Sequence, residues 1–146
     1  MATMKIKYKH QRFQTEAAQC VTEVFQGQPK NDGLSNFLID QGKNRQAFDI
    51  EGFGNAQVLI DSNRLCENIR RVQMAQGLEP IEQIEGNDLT LTIEMETGTG
   101  KTYTYIKTMY ELNRHYGWSK FIVIVPSIAI REGVYKSLES MAEHFA

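Results

Sequence analysis

Residues 89–126, LTLTIEMETGTGKTYTYIKTMYELNRHYGWSKFIVIVP, decide the expected fold class. Residues 89–95 alternate apolar and polar side chains, which predicts a half-buried strand. The glycine-rich loop TGTGKT then leads into an amphipathic helix with Gly117 as its predicted cap. A continuous apolar run over residues 121–125, stopped by Pro126, predicts a strand buried on both faces. With another helix behind it, this order predicts an α/β fold built on a parallel sheet.

The loop over residues 94–102, EMETGTGKT, predicts a polyphosphate site. Glycines at 98 and 100 let backbone amides approach the phosphates, with the positive end of the following helix behind them. Lys101 offers an ammonium to the β- and γ-phosphates, and the Thr102 hydroxyl is placed to ligate magnesium. A glycine-bearing turn without a ligand is the alternative. We predict ATP and Mg²⁺ as cofactors, Lys101 as the catalytic residue, Thr102 as the metal ligand, and an ATP-binding loop of Thr97, Gly98, Thr99, Gly100, Lys101 and Thr102.

Apolar residues at helical spacing predict three further helices. Their stripes are Phe13, Ala17, Val21, Val24 and Phe25; Leu65, Ile69 and Val72; and Ile130, Val134, Leu138, Met141 and Phe145. Residues 33–62 mix apolar clusters with Gly, Asn and Gln, which favours short strands and loops. The predicted organisation is a basic arm and helix over 1–27, a poorly defined insertion with short strands and one helix over 28–88, and the start of an ATP-binding core over 89–146.

Composition narrows the classes of protein. The chain of 146 residues is 41% hydrophobic and 23% charged, as in ordinary globular domains. Its two cysteines and three histidines lack the spacing of a disulfide or metal framework. No apolar run approaches the length of a membrane span, so we expect no membrane partner and a cytoplasmic location. A formal net charge of -2 does not by itself indicate a nucleic-acid partner.

The motif also carries a family resemblance. The general phosphate-loop pattern has a glycine where this chain has Met95, and the form TGTGKT resembles the first motif of superfamily-two helicases and translocases. The longer stretch METGTGKTYTYIKTMYELNRHYGWSKFIVIVPSIAIREGVYKSLE is similar to the start of the motor domain in Res subunits of type III restriction-modification enzymes. The resemblance covers residues 89–145. It implies an incomplete RecA-like P-loop NTPase lobe, the first lobe of the motor.

Two further site predictions follow from the resemblance. The segment KHQRFQTEAAQCV is similar to the one that precedes the phosphate loop in the family, and Phe13-Gln14 fills the position of an adenine-reading aromatic-Gln pair. An amide side chain can donate to and accept from the adenine edge; an exposed helix-start residue is the alternative for Gln14. Pro126 and Ser127 occupy a motif that contacts the backbone of the tracked DNA strand, although helix capping explains Ser127 equally well.

The family implies a parent protein that uses ATP to translocate on double-stranded DNA and cleaves it as a site-specific endonuclease, together with a modification (methyltransferase) subunit. The sequence contains no acidic DExx or DEAD-type string. We therefore expect an N-terminal fragment of a larger subunit, inactive by itself. The alternatives are part of another superfamily-two DNA or RNA helicase, or a folded fragment with no activity of its own.

Overall fold

A computed structural model describes residues 8–31, 55–84 and 89–145, and these contain four α-helices. In chain order they are α1 (Arg12–Val24), α2 (Ser62–Ala75), α3 (Lys101–Tyr116) and α4 (Ile128–Phe145). Each lies where apolar spacing predicts a helix, so all four helix predictions are confirmed. The basic residues of the arm before residue 8, and most of the strands predicted within 33–62, lie outside the described residues.

The predicted fold class is wrong for the described part of the chain. An α/β fold with a parallel sheet, of the RecA-like P-loop NTPase kind, requires strands over residues 89–95 and 121–125. Among residues 8–31, 55–84 and 89–145 there is no strand and no sheet. The architecture that the structure describes is all-helical.

The cause of this error lies in strand pairing. A strand needs a neighbouring segment to bind its N–H and C=O groups, and no backbone hydrogen bond between described residues joins 89–95 to 121–125. Ile122 and Ile124 are 91% and 90% exposed, whereas the prediction buries both faces of their segment. A short apolar run is compatible with a buried strand but does not supply the partner that makes one.

Helix α1 connects α2 and α3, because it packs against both of them. Its end is fixed to α3 by the Tyr116 hydroxyl, which donates to the Thr22 carbonyl at 2.6 Å. On the α2 side, the buried Asn68 amide donates to the carbonyls of Val24 and Gln26 at 3.0 and 2.9 Å. The two bonds from Asn68 satisfy carbonyls at the C-terminal end of α1 and just after it.

Two small apolar clusters form the core. Val24, Leu65 and Ile69 join α1 to α2, and Tyr103, Ile106 and Met141 join α3 to α4. Helix α2 starts at Asp61, whose Oδ1 accepts from the Arg64 amide at 2.9 Å, as an N-cap does. None of the helices in the described ranges has the length and apolar character needed to cross a lipid bilayer.

Candidate phosphate-binding site

Hydrogen bonds to one carbonyl oxygen close the loop before α3. The Thr99 hydroxyl and amide both donate to the Glu96 carbonyl, at 2.6 and 3.4 Å. Gly98 and Gly100 have φ angles of 81° and 87°, in the left-handed region where a Cβ atom costs about 1–2 kcal/mol. The glycine-rich sequence is therefore required by the turn that delivers the chain to the start of α3.

The start of α3 presents unpaired donors. Gly100 is the N-cap residue, so no side chain caps the helix, and its first turn contains no acidic residue. The first backbone hydrogen bond of the helix is the one that Thr104 N donates to Gly100 O at 3.0 Å. The amides of residues 101–103 precede that bond and have no acceptor within the helix. They coincide with the positive end of the helix dipole, an arrangement that favours an anion.

The charged and hydroxyl groups of the motif lie at this helix start. Lys101 is exposed, and its Nζ donates to the Glu96 carbonyl at 2.7 Å. Thr102 is half-buried in the first turn. No group of three or more His, Cys, Asp or Glu residues in the described ranges could hold a metal ion. Ligation of magnesium by Thr102 stays a prediction.

Gln14 reaches this loop from α1. It is only 7% exposed, so the alternative of an exposed helix-start residue is wrong. Its Nε2 donates to the Thr99 carbonyl at 2.9 Å, and a Cβ atom on Gly100 would overlap that nitrogen. The structure thus brings the predicted adenine-reading residue and the predicted phosphate loop together. Recognition of adenine by Gln14 stays a prediction.

Pro126 and Ser127 are exposed at the start of α4. The Ser127 hydroxyl accepts from the Ile130 amide at 3.3 Å and its carbonyl accepts from the Arg131 amide at 3.0 Å, the bonding of a helix N-cap. The capping role considered for Ser127 is confirmed. Contact of Pro126 and Ser127 with DNA stays a prediction.

One buried charged residue was missed by the sequence analysis. Lys107 is 7% exposed on α3 and lies beside a cluster in which the Tyr103 hydroxyl bonds His144 Nε2 at 2.9 Å. The spacing offers a weak signal, since Lys107 follows Tyr103 by four positions and so shares its face of the helix. Lysine is seldom buried, so the prediction of an amphipathic α3 did not count Lys107 among the core residues.

The chain is similar to known restriction proteins. The family described as "Type III restriction enzyme, res subunit" matches residues 63–145, more than half of the chain. The Res subunits of the type III restriction-modification enzymes EcoPI of Escherichia phage P1 and EcoP15I of Escherichia coli are each 39% identical over 94 residues, 62% of this chain and 10% of the relative. The StyLTI Res subunit of Salmonella typhimurium is 47% identical over 58 residues, 38% of this chain and 6% of that protein. The chain therefore spans about a tenth or less of the length of these relatives.

Proposed function

This chain belongs to the family of type III restriction enzyme Res subunits, and from that premise we propose that it binds ATP with Mg²⁺ at residues 96–102. We further propose that it serves the ATP-dependent motor of a DNA translocase and restriction endonuclease. The observation that carries the proposal is the uncapped start of α3 behind a left-handed Gly100. A helix start with free amides, no acidic residue and an adjacent lysine suits the dense negative charge of a polyphosphate.

Each residue of the loop has a proposed role. Backbone amides from Thr97 to Thr102 cradle the phosphates. Lys101 moves its ammonium from the Glu96 carbonyl to the β- and γ-phosphates, exchanging a neutral acceptor for a charged one, which makes a stronger hydrogen bond. The Thr102 hydroxyl supplies one ligand to Mg²⁺, which assists phosphoryl transfer by neutralising charge on the phosphates.

Gln14 has two proposed roles. Its Nε2 holds the loop through the Thr99 carbonyl. Its Oε1 is an acceptor, and we propose that it takes a hydrogen bond from the amino group of adenine. Guanine carries a carbonyl oxygen where adenine carries that amino group, so the same acceptor disfavours GTP.

The remaining partners are proposed from the family. Pro126 and Ser127 are exposed at the start of α4, where they could approach the backbone of double-stranded DNA. The relatives are named as Res subunits of restriction-modification enzymes, so we propose a modification (methyltransferase) subunit as the protein partner. A DNA substrate and a methyltransferase partner would place the protein in the cytoplasm.

The proposal is tested by titrating the purified chain with magnesium-ATP in a calorimeter. Lys101→Ala should weaken binding at least about tenfold, because a charge-assisted bond to phosphate is lost. Lys136→Ala is the matched control, since Lys136 is an exposed lysine of α4 outside the loop. Equal affinities of the Lys101→Ala variant and the unaltered chain would refute the assignment of the loop.

Magnesium-GTP provides a second arm. The unaltered chain should prefer ATP, and Gln14→Ala should reduce that preference. If the Gln14→Ala chain prefers ATP over GTP as strongly as the unaltered chain, Gln14 does not recognise adenine and only holds the loop.

A further inference from the structure

A second, basic pocket lies along α3, away from the phosphate loop. It has a volume of about 860 Å³ and is formed by the second half of α3, the end of α4, His10 and the loop at Lys30. Lys107 and Arg114 contribute from α3 and His144 from α4. The volume lies in the range of small-molecule sites, roughly 300–1,000 Å³. Lys107 follows Lys101 by six residues, which is about 9 Å along the helix axis.

Lys107 is the most buried of the basic residues that line this pocket. Only 7% of the surface of this residue is exposed. Among the described residues that line the pocket, the one acidic residue is Glu111, which pairs with Arg114 at 2.7 Å and with His115 at 3.6 Å. The described lining therefore carries more cationic side chains than acidic ones, which favours an anionic ligand.

An aromatic surface lies at the same pocket. Tyr110 and Phe145 are stacked with ring centroids 4.9 Å apart and planes at 27°, and both line the cavity. Tyr110 remains 39% exposed, so its ring is accessible to a flat ligand. Cations beside an accessible aromatic ring are the combination that proteins use to bind nucleotides, the base by stacking and the phosphate by charge.

We propose that this pocket binds a nucleotide, with its phosphate at Lys107 and its base against Tyr110. Lys30 is exposed at the same cavity and adds positive charge near the phosphate. The nucleotide comes either as a free monophosphate or as one residue of a polynucleotide strand, since both carry the same base and phosphate. The site is separate from the loop at residues 96–102 and does not depend on the function proposed for that loop.

The experiment uses the Lys101→Ala chain, so that binding at the phosphate loop does not contribute. It is titrated with adenosine 5′-monophosphate, with adenosine, and with a short single-stranded oligothymidine, and binding is followed by calorimetry. We expect the monophosphate or the oligonucleotide to bind at least tenfold more tightly than adenosine, which lacks the phosphate. Binding of the monophosphate identifies a free nucleotide as the occupant, and binding of the oligonucleotide alone identifies a strand.

Substitutions then locate the site. Adding Lys107→Met should weaken binding about tenfold or more, Lys107→Arg should largely preserve it, and Lys136→Met should leave it unchanged. Lys30→Gln and Tyr110→Ala alter exposed side chains and should each weaken binding severalfold, so the test survives if Lys107→Met does not fold. The proposal is overturned if no phosphate-bearing probe binds at millimolar concentration, or if the Lys30→Gln and Tyr110→Ala chains both bind as well as the Lys101→Ala chain.

Discussion

Replacing Gly100 with alanine should destabilise the chain by about 2–3 kcal/mol, and the structure divides this loss into two parts. Gly100 has φ 87°, and the left-handed conformation costs an alanine about 1–2 kcal/mol. The added Cβ would also overlap the Gln14 Nε2, displacing the side chain that bonds the Thr99 carbonyl. Loss of that part-buried hydrogen bond removes about 1 kcal/mol more.

Gly98 provides the matched control two residues earlier in the same loop. Its φ of 81° carries the same conformational cost, but a Cβ atom there meets no atom within 4 Å. Gly98→Ala should therefore cost only about 1–2 kcal/mol. The difference between the two alanine variants isolates the contact between Gly100 and Gln14.

A double-mutant cycle tests the same contact. Gln14→Ala alone should cost about 1 kcal/mol, because it removes the hydrogen bond to Thr99. The double variant should lose no more unfolding free energy than Gly100→Ala alone, because Gly100→Ala has already removed the hydrogen bond. The loss in the double variant should therefore be about 1 kcal/mol smaller than the sum of the two single losses. The assay is urea unfolding, with the free energy of unfolding extrapolated to water. Equal losses at Gly98 and Gly100, or additive losses in the cycle, would refute the reasoning.

Two other outcomes are expected. The purified 146-residue chain should release no more phosphate from magnesium-ATP than its Lys101→Ala variant. Phosphoryl transfer also needs a residue that orients the attacking water and additional positive charge, and no DExx string occurs in the sequence. ATP turnover that duplex DNA stimulates and that Lys101→Ala removes would contradict this prediction. The pKa of His144 lies below its ordinary value of 6.5, first because burial disfavours the imidazolium and then because His10 and Lys107 repel it. The unfolded chain therefore binds this proton more tightly, so stability should fall as the pH drops from 6.5 through the lower folded-state pKa. Melting temperatures measured across that interval should fall less for His144→Gln, and parallel pH curves would show that His144 contributes nothing.

The helices could be predicted because their signals are local. Helix α3 ends at the left-handed Gly117, as the sequence predicts, and it begins after the glycine-rich loop, where Gly100 is also left-handed. An apolar stripe and a stop signal within twenty residues are enough to specify such a helix. The sheet depended on partners far along the chain, and neither 89–95 nor 121–125 contains information about whether the other segment pairs with it.

The sequence does not predict which face of α1 is buried, for a related reason. The predicted apolar stripe includes Phe13, Ala17 and Val21, yet these residues line an open groove of about 1250 Å³. The side chains buried on α1 include Gln14 and Thr22. Both are polar, and both have backbone acceptors, on Thr99 and Gln19 at 2.9 and 2.8 Å. A hydrophobic pattern shows which face is apolar, but it does not show which polar side chains will find partners in the interior.

Gln14 also explains why α1 matters to the proposed phosphate site, although it lies 85 residues before the loop carbonyl that it bonds. The loop has few other restraints, since Thr99 and Lys101 both use the single carbonyl of Glu96. If Lys101 leaves that carbonyl to bind a phosphate, the bond from Gln14 to Thr99 still ties the loop to α1. A nucleotide bound at the start of α3 would therefore be coupled to the packing of α1 on α3. Helix α1 is in this sense part of the site, and a chain lacking it would keep the TGTGKT motif while losing a restraint that holds its shape.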